Sequence, residues 1–381
     1  MSLQRRYLLN REAQAVDAAT REVELPRQGL LSGIGLRLEC TNGATSGTEI
    51  LIDAIDRVEV IANGSEVLFS LEGVELYKWN WVWQRSRPPQ LRTMVAAAVQ
   101  ELFLIIPFGR KIGDKELYLD LARFQRVTLR VQHSPTISAT TFATATFTIS
   151  AILFEFEPGT PGLASRGRLR TTQVRAFTSA ASGEEVFELP RQNPHTAYLV
   201  YAREAAIEDG VDISIVEVRE DDGRVIPFTA RWLDLQMQNE MDLDLTAIEE
   251  GIALLTDAGT FDTLVSRIQS IQLALLEDAA AADAVTPQLT VGVVAADRVT
   301  VSILETDEDG TTAASALATA LYRIYWMAKG IGIGNAVLIP MWDPEELSSA
   351  YPAPAKSKVQ LALTQAAAGA TTRVSVQELV A

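Results

Sequence analysis

The sequence is short of the side chains that most enzyme and metal chemistry needs. It holds 1 cysteine, Cys40, and 2 histidines, His133 and His195. One thiol can neither close an internal disulfide nor build a zinc site on cysteine pairs. Basic charge is scarce as well: 33 lysines and arginines stand against 49 aspartates and glutamates, for a net charge of −16. Nucleic acid repels such a chain in bulk, so no direct nucleic-acid contact is expected. No run of about eighteen apolar residues occurs, and the first residues carry no charged-then-apolar leader. A soluble protein made in a cytoplasm, without an export signal of its own, is the expectation.

What the chain does have is apolar residues, 48% of 381, enough for two cores of ordinary size. It also repeats itself. The pentapeptide Glu-Leu-Pro-Arg-Gln occurs at Glu24 to Gln28 and again at Glu188 to Gln192, each time ahead of an apolar segment. Then each half offers a β-hairpin signal, an alternating segment around Asn63-Gly64 in one and around Asp222-Gly223 in the other. Each half continues with a helical reading (90–102 and 313–329) and a short apolar strand ending in Ile-Pro, at Ile106-Pro107 and Ile339-Pro340. Short acidic turns at 114–117 and 343–347 follow. Period-two strands come next at 127–132 and 359–364, and the closing strands are 146–156 and 373–379. Several anchors in one order mean a duplicated domain.

The second copy is the longer, with an insertion at about 242–310 read as a helical part (245–276) and two strands (289–295 and 298–304). Residues 1–22 read as an N-terminal arm with a helix over 1–20. The first domain spans 23–158, a basic linker 159–183, and the second domain 184–381. Pro158-Gly159-Thr160-Pro161-Gly162 marks the seam, since proline removes a ladder donor. The linker carries Arg166, Arg168, Arg170 and Arg175 without an acid between them, which suits contact with a neighbour.

Many short alternating strands with glycine- and proline-rich turns make this a mainly β protein. Two sheets packed face to face would cover both apolar sides, giving two tandem jelly rolls, eight-stranded β-sandwiches with short helices in the connections. An immunoglobulin-like sandwich accounts less well for the helices before the Ile-Pro strands. The order of hairpin, helix, Ile-Pro strand, acidic turn, alternating strand and closing strand resembles one roll of a double jelly-roll major capsid protein. That family includes the adenovirus hexon and the shells of tailless, membrane-containing phages. The resemblance covers roughly 23–381 and rests on pattern, carried by 58–71, 104–121 and 127–132 and by 213–228, 337–347 and 359–364. It implies a homotrimer whose six rolls form a pseudo-hexagonal brick. Bricks tile an icosahedral virion against neighbouring capsomers, penton and minor capsid proteins and sometimes an internal lipid membrane. Shell assembly in the host cytoplasm follows from the same resemblance.

Two groups of residues are candidates for contact. Arg5, Arg6, Tyr7 and Arg11, on a basic amphipathic helix, would lie on anionic lipid or on an adjacent capsomer. Trp79, Trp81 and Trp83 share one face of a strand and would fill a trimer interface. Exposed, the same tryptophans would suit the alternative reading, a carbohydrate- or receptor-binding tandem sandwich. A glycan-processing enzyme would need carboxylates converging in a cleft, which nothing in the sequence indicates. The remaining motifs have structural explanations. The glycine-rich 329–335 follows a helix where a phosphate loop would open one. Asp307-Glu308-Asp309-Gly310 lacks the later glutamate of a calcium loop. Asn63-Gly64-Ser65 is taken by its hairpin, His133 and His195 fall in loops, and Cys40 ends a strand as a core thiol. No cofactor, metal or catalytic residue is assigned.

Overall fold

The computed structural model describes residues 3–44, 49–157, 159–203, 211–243, 247–255, 258–263, 265, 267–278, 286–295, 298–306 and 322–381. Its first half runs β1 (Leu3–Ala13), β2 (Ala19–Glu24), β3 (Leu30–Thr41), β4 (Ile55–Ala62), β5 (Glu66–Leu71), helix α1 (Gly73–Gln84), β6 (Gln90–Leu91), β7 (Val99–Pro107), β8 (Leu119–Asp120), β9 (Val127–His133) and β10 (Thr148–Phe156). The second runs β11 (Arg168–Thr178), β12 (Gly183–Glu188), β13 (His195–Arg203), β14 (Ile213–Glu220), β15 (Val225–Arg231) and helix α2 (Trp232–Leu243). An inserted group follows: β16 (Ile248–Leu255), β17 (Ala258–Asp262), β18 (Ser270–Asp278), β19 (Thr286–Ala295), β20 (Arg298–Thr306) and β21 (Tyr322–Lys329). The frame then closes with β22 (Ala336–Pro340), β23 (Val359–Gln365) and β24 (Thr371–Val380).

The pairing is the same in both halves. In the first roll the strands β1-β10-β3-β7 and β2-β9-β4-β5 lie in separate sheets, and their counterparts in the second roll are β11-β24-β13-β22 and β12-β23-β14-β15. Leaving aside the short β6 and β8 in the first half and the inserted β16 to β21 in the second, each half pairs its first, eighth, third and sixth strands, and its second, seventh, fourth and fifth. That is a jelly roll twice over. Alternation builds the cores: Ile34, Leu36 and Leu38 of β3 face Val58 and Val60 of β4 and Leu129 and Val131 of β9, all buried. In the second roll Tyr198, Val200, Val216, Val218, Leu361 and Val374 do the same.

The repeat runs deeper than its sequence anchors. Asn63 and Gly64 both take positive φ, 51° and 80°, as a tight hairpin turn requires; Asp221, Asp222 and Gly223 supply the left-handed run in the other half. The pentapeptides connect β2 to β3 and β12 to β13. A third correspondence was hidden. Asn80 of α1 donates to the Ile105 carbonyl at 2.9 Å and accepts from its amide at 2.6 Å. Asn239 of α2 binds Leu338 in the same two ways, at 2.8 and 2.7 Å. Ile105 and Leu338 each immediately precede the Ile-Pro pair. In both rolls a helix is therefore pinned to the Ile-Pro strand by one asparagine.

Several sequence expectations need correction. Of the expected arm 1–22, the described residues 3–22 are no separate unit, because β1 pairs antiparallel with β10 and β2 with β9, making them strands of the first roll. The stretch 159–183 is largely not linker, since β11 pairs with β24. Its arginines find acids within the chain: Arg168 with Glu66, Arg170 with Glu378, Arg175 with Glu185. Ladder pairing overrode the local charge pattern in both segments.

Helix and strand were exchanged around the tryptophans. Residues 77–83 lie in α1, whereas 90–102 hold β6 and the start of β7. Apolar residues at Val74, Leu76, Tyr77, Trp79, Trp81, Val82 and Trp83 surround the helix on all sides, and a helix buried all round carries no one-sided period to read. The i,i+4 contacts confirm the helix: Tyr77 meets Trp81 edge-on at 5.7 Å and Trp79 stacks on Trp83 at 5.4 Å. Helix expectations in the insertion also fail, because 248–255, 258–262 and 270–278 are strands, while 289–295 and 298–304 are strands as expected. Of the expected helix over 313–329, residues 322–329 form β21 and the rest lies outside the described residues. At the acidic turns, Asp114 accepts from the Glu116 amide at 3.0 Å and Asp343 from the Glu345 amide at 2.9 Å, which makes them Asx turns.

Candidate functional site

The rolls meet along a joint built from β5, β11 and α1. Thr171 and Thr172 of β11 pair in parallel with Phe69 and Ser70 of β5, merging four strands of each roll into one eight-stranded sheet. α1 sits over this joint. It starts after Glu72, whose amide donates to the Glu75 carboxylate at 3.2 Å, and it stops where Arg85 turns left-handed at φ 51° before Pro88 and Pro89. From the helix, the Trp79 indole donates to Ser375 Oγ at 2.8 Å and the Lys78 ammonium donates to the Ile333 carbonyl at 3.0 Å. Both acceptors belong to the second roll. Arg373 of β24 returns the contact, donating to Glu72 at 2.6 Å. Ala197, Leu199, Ala336 and Leu338 of the second roll share one apolar core with the first.

Trp79 and Trp81 are 1% and 0% exposed, so the expected trimer interface does not form through them. Their burial is complete within one chain and leaves no surface for a second. Trp83 is half-buried and stacked on Trp79. Stacking on sugars needs open rings, so the glycan reading loses its surface too. Glu75, fully buried beneath the joint, has its carboxyl pushed up to about 8 by burial.

Arg5, Arg6, Tyr7 and Arg11 lie on β1, the edge strand of its sheet, and all four are exposed. Arg5 caps the Phe154 ring at 5.7 Å, Arg6 pairs with Glu155 at 2.9 Å, and Arg11 pairs with Glu39 at 3.0 Å. Tyr7 is 59% exposed. Strand geometry, in place of the expected helix, presents these groups along an open edge.

The other singled-out residues are structural. His133 ends β9, buried and stacked on Phe147; His195 opens β13, with Nε2 against the Pro190 carbonyl and Nδ1 against the Tyr198 hydroxyl. Both were expected in loops, yet both rings are buried, and burial pushes His195 down to about 4. Cys40 lies buried near the end of β3 beside the Thr146 hydroxyl, where burial pushes its thiol up. Gly332 and Gly334, at φ 60° and 59°, turn the chain from β21 to β22. Asp307 to Gly310 lie outside the described residues. Among the described residues no group of three or more His, Cys, Asp or Glu is placed to hold a metal.

Two complete rolls, side by side and joined through one sheet, are thus the main result of the geometry, and solved structures share it. The major capsid protein of STIV aligns over 99% of this chain and 97% of its own at a TM-score of 0.59, with 11% identity. This fold is the double jelly roll. An atomic structure of Sulfolobus turreted icosahedral virus matches at 0.60 with 9% identity, covering 100% of this chain and 91% of that one. PBCV-1 VP54, fitted into a reconstruction of the virophage Sputnik, matches at 0.53 with 9% identity, over 99% and 92%. No family model and no curated sequence matches. The double jelly roll is therefore shared at identities of 9 to 11%.

Proposed function

We propose that this chain is a viral major capsid protein that assembles as a pseudo-hexagonal trimer and tiles an icosahedral shell. The carrying observation is that the described residues form two jelly rolls fused side by side, with an inserted group of strands in the second, a fold shared with solved capsid proteins. Three such chains supply six similar rolls, the number a hexagonal tile needs. Its partners are then two further copies, neighbouring capsomers and the penton and minor proteins at the vertices, with an internal membrane as a further surface. Its place is the virion shell, assembled in the host cytoplasm. Arg5, Arg6, Tyr7 and Arg11 serve this reading as contacts to a neighbouring copy, because they lie along an open strand edge and not on a lipid-binding helix. A net charge of −16 keeps the shell off the genome.

Light scattering on the purified chain tests the proposal. A trimer has three times the 41.5 kDa of one chain and persists on dilution. A monomer at every concentration, with no shell formed, overturns it.

A further inference from the structure

We infer that two open edges among the described residues, β15 with α2 on the second roll and β1 on the first, are the two halves of one joint made with a second copy. The inference rests on the capsomer reading and gives it a contact surface.

The chain already contains the pattern. Counted without a gap from the hairpin glycines Gly64 and Gly223, Phe69 falls on Phe228, Ser70 on Thr229 and Asn80 on Asn239. The asparagines confirm the count, since both bind the residue before Ile-Pro. Inside the chain, Phe69 and Ser70 carry the parallel pairing to the other roll. Phe228 and Thr229 lie on β15, which ends its sheet with β14 on one side only. The helices follow suit. Lys78 of α1 is buried at the internal joint and Val82 packs partly buried against the shared core, while their counterparts on α2, Met237 and Met241, are 51% and 82% exposed. Val225 and Ile226 of β15 are each 48% exposed beside them.

The receiving half is equally legible. Ile34 pairs with Ile106 and Leu153, and Tyr198 pairs with Ile339 and Val376, so the Ile-Pro pairs set a common register. Carried along it, Thr171 and Thr172 fall on Arg5 and Arg6, and Ser375 falls on Ile152. In the second roll Ala336 and Leu338 are buried by the internal joint. Their counterparts Phe103 and Ile105 are half-buried, as is Ile152, which pairs with the exposed Tyr7.

Each free surface thus matches one side of the joint already made. Laying β15 of one copy along β1 of the next repeats the eight-stranded sheet across the chain boundary. The occupant is a second copy because only the first roll of this chain presents the counterpart of β11. Pro227 lines up with Leu68, outside the two paired positions, so its missing donor costs the joint nothing. The two halves differ, so the contact is head to tail, and the trimer reading has it close as a ring.

Cysteine pairing tests this. Arg6→Cys and Thr229→Cys chains, coexpressed, should give a disulfide-linked pair on non-reducing gels, while either alone should not. Ser70→Cys with Thr172→Cys in one chain, the internal equivalent, calibrates the geometry and should close within the monomer. In parallel, Met237→Glu with Met241→Glu, both exposed in one chain, should release folded monomers, with an unchanged far-ultraviolet circular dichroism spectrum and a lower melting midpoint as the stabilisation by association is lost. If the natural chain is oligomeric and the calibrating bridge closes, but the mixture stays unlinked or either variant links to itself, this joint is wrong and the capsomer stands. Monomeric natural chain takes down both.

Discussion

Glu75 shows how one residue can register the joint. Its carboxyl is buried under α1, with Oε1 unpaired, and burial raises it from the ordinary 4.5 to about 8. The folded state holds this proton more tightly than the unfolded chain does. Its contribution is complete below about 4.5 and is lost as pH rises toward about 8, at about 1.4 kcal/mol per pH unit at most. Glu75→Gln, which cannot ionise, should melt at a more constant temperature between pH 5 and pH 8 while the natural chain falls. A natural chain with no greater slope than the variant would refute the assignment. His195 works in the opposite sense. Its ring is held down to about 4, so its stabilisation is present above 6.5 and fades as pH falls toward 4. In the Glu75→Gln background the acid limb should therefore persist and be softened by His195→Gln.

At the scale of elements, the two helices are fastened by equivalent bonds and should fail alike. Removing Asn80 or Asn239 strands a buried carbonyl and a buried amide of the Ile-Pro strand. Each stranded group costs about 1–3 kcal/mol. Urea unfolding of Asn80→Ala and Asn239→Ala should show comparable losses, whereas Asn10→Ala, at an exposed position on β1, should show little. Trp79→Phe should cost less than Trp79→Ala, because it loses the bond to Ser375 but keeps most of the packing. The alanine variant adds a cavity worth about 3–5 kcal/mol.

For the molecule as a whole, the inserted strands are held to the first roll as well as to the second that carries them. Arg92 pairs with Glu249 at 2.7 Å with side chains only 5% and 0% exposed, and Arg92 also covers the Trp326 ring at 5.1 Å. Backbone bonds flank the pair, from Ile252 to Arg92 at 3.0 Å and from Met94 to Ile252 at 2.8 Å. Breaking such a buried pair costs about 3–5 kcal/mol, against at most about 1 for an exposed one. Glu249→Ala should thus lower stability by several times more than Arg27→Ala, whose partner Glu24 sits at 3.7 Å on the surface. Equal losses in calorimetry would mean that the insertion does not lean on the first roll.

Much of this architecture was legible in the order of residues. Duplication, hairpins, Ile-Pro strands, alternating strands and closing strands all depend on local signals, namely positive-φ turn residues and period-two burial, which a strand carries wherever it is placed. Those signals were enough for two jelly rolls and for their likeness to capsid proteins. Other elements depend on what they meet. β1 reads as a charged helix until β10 supplies its ladder, and β11 reads as a basic linker until β24 and Glu66 supply partners. α1 has apolar residues on every side, so its period says nothing; only enclosure between two rolls makes a buried helix the stable answer. Trp79 and Trp81 are buried and Trp83 half-buried, but whether a second chain or the second roll covers such residues is a matter of distance through space. Tertiary structure decided that, because burial is a property of neighbours and the sequence lists only the chain's own order.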